Sequence, residues 1–194
     1  MSAWTPMDVT LRGLGLVAVA GLLSQCGLSG AGGKESYTGI APGISAPDAI
    51  SYLGQTYTVG YSAANKNGVV VEYYPAGESP KQWRQMLALR RIDGPSTPQQ
   101  QAASMAAAMR NSGSGTETST NGATHEIDFT VTKAGGPEFN LYRYDPSGTA
   151  VRSVQYAAVV PKENLALGPG AMRALAAKHR KAVMQTAFPE VNRQ

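Results

Sequence analysis

Two histidines, His125 and His179, and thirteen carboxylates are the groups from which this chain could build acid–base or metal chemistry. They meet most densely in His125-Glu126-Ile127-Asp128. A metal site needs imidazole and carboxylates converging on one point. The surrounding residues read as a strand, where side chains alternate between faces. His125, Ile127 and Phe129 then point one way, and Glu126 and Asp128 the other, so no metal site is expected here. His179 falls on the apolar side of a C-terminal helix and reads as a satisfied core histidine or a helix-boundary residue.

Nucleophilic catalysis has no better footing. A serine triad requires a positioned nucleophile beside its base. The chain has no G-x-S-x-G, and Gly113-Ser114-Gly115 lies in a polar loop rather than a strand-to-helix turn. Glu72, Glu78 and Asp128 offer carboxylates for glycoside chemistry, but no spacing singles out a pair. The glycine fingerprints of phosphate and dinucleotide sites are missing, since Gly13-Leu14-Gly15 sits in an N-terminal apolar run. No catalytic residue and no cofactor are expected. An enzyme of unrecognised type would draw on Glu72, His125 or Asp128 in a cleft. A net charge of +4 with 15% charged residues is too small an excess for a nucleic-acid surface, so no nucleic-acid partner is expected.

What remains is recognition. Tyr57, Tyr61, Tyr73, Tyr74, Tyr142, Tyr144, Tyr156 and Trp83 offer rigid amphipathic contact area. Tyr73, Tyr74 and Trp83, with Arg173 and Arg180 from the basic C-terminal stretch, form the candidate partner surface. The competing account is half-buried sheet tyrosines with hydroxyls at the rim and a solvated basic helix face.

These groups need elements to hold them. Pro47–Gly54 reads as a short helix capped by Asp48. Gln55–Ala63 alternates and is rich in Thr, Tyr and Val. Asn65-Lys66-Asn67-Gly68 turns the chain into Val69–Tyr74, because Asn-Gly accepts positive φ. Ser79-Pro80-Lys81-Gln82 has the cap chemistry of a short helix reaching Trp83–Gln85. Met86–Ile92 is taken as a strand. Thr97-Pro98-Gln99-Gln100 repeats the cap and predicts a helix over 98–111, with Ala102, Met105, Ala106 and Met109 on one face. Ser112–Gly122 reads as a polar loop. Three strands follow, Ala123–Lys133, Glu138–Tyr144 and Ala150–Val160, joined by turns as an antiparallel meander. After a loop over 161–168, a helix over 169–186 buries Met172, Leu175, His179, Ala182 and Val183. The sum is an α+β domain over 48–190: one antiparallel sheet of about six strands, with both helices on one face.

The N-terminus is different. Arg12 precedes an uncharged stretch whose strongly apolar part, Leu14–Leu23, is too short to span a bilayer, which takes roughly 20 residues. A basic residue, a short apolar run and then small residues make the pattern of a secretory signal, read here as residues 1–25. Residues 26–47 are rich in Gly, Ser, Pro and Ala and read as a flexible tether. Cys26 is the sole cysteine, which excludes an intramolecular disulfide.

Leu23-Ser24-Gln25-Cys26 resembles the lipobox of bacterial envelope lipoproteins, although Gln25 stands where that family usually has Gly, Ala or Ser. The resemblance implies lipid attachment at Cys26. With Gly27 rather than Asp following, it also implies sorting to the periplasmic side of the outer membrane. Ser29-Gly30-Ala31 offers ordinary cleavage as the rival, giving a soluble periplasmic or secreted module. Downstream, Glu72-Tyr73-Tyr74-Pro75-Ala76-Gly77-Glu78 followed by Trp83-Arg84-Gln85-Met86 resembles the MOG1/PsbP-like domains. That likeness, an order of elements over about 55–187, implies an α+β binding or assembly protein. The combined expectation is an exported, lipid-anchored binding or structural protein. It would be an accessory component of an envelope assembly, with the membrane and an envelope protein as partners.

Overall fold

A computed structural model describes residues 39–133, 136–161, 163 and 169–194. The proposed signal, Cys26 and most of the predicted 161–168 loop lie outside these residues. The strands are β1 (Ile44–Ser45), β2 (Ala49–Tyr52), β3 (Gln55–Asn65), β4 (Gly68–Pro75), β5 (Gln85–Ile92), β6 (Thr116–Asn121), β7 (Thr124–Lys133), β8 (Gly136–Ser147), β9 (Ala150–Val159) and β10 (Asn192–Arg193). The helices are α1 (Pro98–Asn111) and α2 (Pro169–Gln185). Eight strands form one antiparallel sheet in the order β2-β3-β4-β5-β9-β8-β7-β6, and β1 pairs with β10 apart from it.

The sheet has eight strands, not six, and the helices do not share a face. In β8, Phe139 and Leu141 join the core cluster that contains Ala176, Ala182 and Val183 of α2. Tyr142 and Tyr144 of the same strand join the cluster that contains Ala102, Ala106 and Met109 of α1. Neighbouring odd and even residues of a strand point to opposite faces. The α2 face and the α1 face are therefore opposite sides of one sheet, and both are buried.

Local chemistry explains most of the elements. Thr97 caps α1 and Gln100 returns the bond, a complete capping box with Pro98 in the first turn. The predicted methionine face is core: Met109 is fully buried, and Met105 packs at its margin. Gly68 closes the β3–β4 hairpin at φ +147°, where a Cβ would stand 1.9 Å from the Arg91 carbonyl oxygen, so only glycine lets β4 meet β5 there. Gly60 sits at the register shift of β3, and a Cβ would stand 2.5 Å from the Tyr74 ring.

Four local expectations are corrected. Pro47–Gly54 is not a helix; Ala49–Tyr52 pairs with β3 and buries Ile50 and Tyr52 alternately. Ser79–Gln85 is not a helix either. Ser79 and Gln82 exchange backbone bonds across a tight turn, and the Glu78 carboxylate accepts the Arg84 and Gln85 amides at 2.6 and 3.0 Å. Within the predicted 112–122 loop, Thr116–Asn121 is the outermost strand of the sheet. Ala41 and Ile44, inside the stretch read as tether, are buried in the α2-side core.

Candidate functional site

Strand alternation places a line of polar side chains on the α1 face, across the middle of the sheet. β5 supplies Arg90, β9 supplies Gln155, and β8 supplies Asn140 and Glu138. Register brings them side by side: Ala88 of β5 and Tyr142 of β8 both pair with Gln155, and Asn140 pairs with Ala157. Arg90 Nη2 donates to Gln155 Oε1 at 2.7 Å. Gln155 Nε2 donates to Asn140 Oδ1 at 2.9 Å. Asn140 Nδ2 donates to Glu138 Oε1 at 3.0 Å, and Lys133 closes the line on Glu138 Oε2. All four of the central groups are buried. The donors run one way from a cation to a carboxylate, so each bond polarises the next.

At the Arg90 end, the guanidinium lies 5.8 Å from the Tyr142 ring centroid. Tyr74 donates to Glu72 at 2.6 Å beside it. Burial, then the Glu72 charge, pushes the Tyr74 hydroxyl far above its ordinary range. Arg90 Nη1 and Ser153 Oγ are buried without a hydrogen-bond partner. Arg90 and Ser153 are register partners, so unused donor capacity collects at this one point.

The α2 face carries a second polar cluster at the β6–β7 edge. Arg180 of α2 bonds both Asp128 of β7 and Glu117 of β6. Ser119 donates to Glu126 at 2.7 Å. Burial raises the Glu126 and Asp128 carboxyls, against the pull of their hydrogen bonds and of Arg180. Burial would lower Arg180, but its two carboxylate partners more than offset this and raise it. Nearby, burial raises Asp145, while bonds from Thr124, Arg143 and Arg152 outweigh it and hold the carboxyl below its ordinary value. Arg143 also donates to the Val183 carbonyl at 2.8 Å, taking up an acceptor in the last turn of α2.

Arg180 thus ties the helix to the sheet edge. Arg180→Ala is expected to cost about 2 kcal/mol at neutral pH, below the 3–5 kcal/mol of a fully buried pair because Glu117 is exposed. Asp128 would be left buried without its cation, and its carboxyl would rise further. The loss should therefore shrink as pH falls toward the ordinary aspartate range, which urea titrations at pH 7 and pH 4 would show.

Beneath α2, His179 is buried with Nδ1 2.9 Å from the Tyr52 hydroxyl. Its ring stacks on Tyr156 at 4.0 Å. Tyr57 and Tyr156 both donate to Gln85 Oε1, at 3.1 and 3.3 Å. Burial, then the Lys178 charge, lowers His179 to about 4. It is the satisfied core histidine its helix position implied.

The five residues proposed as a partner surface are not brought together. Tyr73 and Tyr74 are both buried, on opposite faces of β4. Trp83 packs against Tyr74, Met86, Ala88 and Ala157. Arg173 is exposed on α2, and Arg180 is engaged with Asp128 and Glu117. Glu72, His125 and Asp128 do not share a cleft. Asp128 is on the α2 face, and His125 bonds Thr120 at 3.2 Å on the α1 face. Glu72 shares that face but stands four strands from His125, about 19 Å at roughly 4.8 Å per strand. Among the described residues, no group of three or more metal-ligating side chains is assembled. The buried polar line escaped sequence reading because its members come from three strands; single polar residues inside apolar strands were the available signal.

An eight-stranded antiparallel sheet covered by a helix on each face, with a polar line through its centre, is a β-rich α+β domain. A family model matches residues 44–188, most of the chain, and the chain belongs to that family. The match brings no activity with it. No curated protein and no solved structure matches the chain.

Proposed function

We propose that this chain is an exported binding or structural protein held at the membrane by a lipid on Cys26, an accessory component of an envelope assembly. The observation that carries the reading is the sole cysteine, placed at the end of Leu23-Ser24-Gln25-Cys26 behind a short apolar run. Such a run is too short to span a bilayer and suits a cleaved signal. The domain's own organisation is consistent with a binding role. Cross-strand bonds from Arg90 to Gln155 and from Gln155 to Asn140 tie β5, β9 and β8 together, and the surface of such a braced scaffold suits recognition.

Anchoring would raise the domain's local concentration at the membrane, where its partner resides, without any new contact. The domain would act on the periplasmic side of the outer membrane, non-covalently. Mass spectrometry of the mature N-terminus tests this. An acylated Cys26 and loss of membrane association on Cys26→Ser are the expected results. An unmodified mature N-terminus at Gly32 would sink the anchor and leave a soluble exported module.

A further inference from the structure

We propose that β6 is a pairing edge through which two copies of this chain join into one continuous sheet. β6 ends the strand order, and residues Glu117–Asn121 are exposed. It pairs with β7 in unbroken register from Thr116↔Phe129 to Asn121↔Thr124. Among the described residues, no backbone group of β6 bonds to anything but β7.

Exposed edges are ordinarily guarded by proline, lysine, a bulge or shortness. The opposite edge is so guarded: β2 has four residues, lies just after Pro47 and is followed at once by Leu53 with φ +51°. β6 is Thr-Glu-Thr-Ser-Thr-Asn, without proline, lysine or a bulge. Its single charge, Glu117, is held by Arg180 of its own chain, with Arg173 also lowering its carboxyl.

The occupant that fits is the same strand. Two antiparallel copies related by a two-fold axis normal to the sheet pair residues of the same face. With the axis at Thr118, Thr116 faces Thr120 of the second copy, Thr118 faces its own equivalent, and Glu117 faces Ser119. No like charges meet. Three threonine pairs line the α1 side, β-branched residues suited to a sheet and able to bond across it. A foreign strand would find neither an unpaired charge nor an apolar pocket on β6 to select it. Six residues span only about 20 Å, so the contact falls below the roughly 1,200 Å² of stable complexes and is a transient one.

Cross-linking captures such a contact. In the full chain with Cys26→Ser, purified in mild detergent, Thr118→Cys would place two thiols directly opposite across the axis, near disulfide range. Ser51→Cys on the β2 edge is the exposed control. Under mild catalytic oxidation, the Thr118→Cys dimer is expected to form at least tenfold faster than the Ser51→Cys dimer. Adding Thr120→Lys should slow it about tenfold while the circular dichroism stays unchanged. Equal rates at the two positions, or a Thr118→Cys rate indifferent to the lysine, would overturn the pairing.

Discussion

Asn140→Ala is expected to lower the stability of the domain by about 4 kcal/mol, from two unpaired buried groups at about 1–3 kcal/mol each plus a small cavity term. Asn140 is 0% exposed and sits at the middle of the polar line. It accepts from Gln155 and donates to Glu138. Alanine strips both partners at once. Gln155 Nε2 loses its acceptor, and the Glu138 carboxylate keeps only Lys133 on its other oxygen. Neither site is reached by bulk water, so neither loss is repaired. The measurement is the urea midpoint, which should fall with the slope unchanged. A double-mutant cycle with Gln155→Ala sharpens it. Once Gln155 is gone, the second truncation leaves one fewer orphan, and the pair should cost at least 1 kcal/mol less than the sum. A loss below 1 kcal/mol for Asn140→Ala would mean that the line contributes little to holding β5, β9 and β8 together.

Whether such a feature can be read from sequence depends on where its partners lie. The β3–β4 hairpin was legible because Asn67-Gly68 is a local signal with a local cause, and α1 was legible from Thr97-Pro98 and Gln100. β2 was hidden by the same kind of signal. Asp48 and Gly54 imitate helix ends, whereas Ile50 and Tyr52 alternate, and that period-two pattern decided the outcome. β6 was hidden because a strand at the sheet edge with both sides wet has no apolar alternation. Its β-branched Thr116, Thr118 and Thr120 were the remaining clue.

The placement of the helices was legible in part. Phe139 and Leu141 opposed to Tyr142 and Tyr144 already meant two apolar faces, and two such faces need covering on both sides. One helix per face satisfies this; two helices on one face would leave either the tyrosines or the phenylalanine and leucine in water. The divergence of His125 from Glu126 and Asp128 followed from strand geometry alone, and the register places them accordingly. The Arg180 tie could not be foreseen, because it joins residues separated by 52 and 63 positions through an ion pair that no spacing encodes.

Acid should loosen α2 through His179, and the sign of the effect follows from which state binds the proton. In the unfolded chain the imidazole titrates near 6.5; in the fold it is lowered to about 4. Above 6.5 it is neutral in both states and costs nothing. As pH falls below 6.5, the unfolded chain takes up a proton that the folded one refuses, and stability drains until the folded imidazole itself titrates near 4. Each pH unit of that interval is worth about 1.4 kcal/mol, so the whole window removes about 3 kcal/mol. Glu126 and Asp128 act in the opposite sense. Their carboxyls are raised, so the stability they contribute is present at low pH and lost as pH rises through their folded values. Both belong to the same helix–sheet interface, and a single unfolding curve mixes the two effects. His179→Gln separates them: an amide keeps a neutral partner for the Tyr52 hydroxyl but does not titrate. The difference in unfolding free energy between the parent and this variant should be flat above pH 7. It should then move by about 3 kcal/mol in the variant's favour between pH 6.5 and 4, with the carboxylate contributions cancelling. Parallel curves across that window would mean that the ring takes up its proton inside the fold without cost. In that case the stack on Tyr156 and the bond to Tyr52 would not hold His179 neutral, and acid release of α2 would have to come from another group.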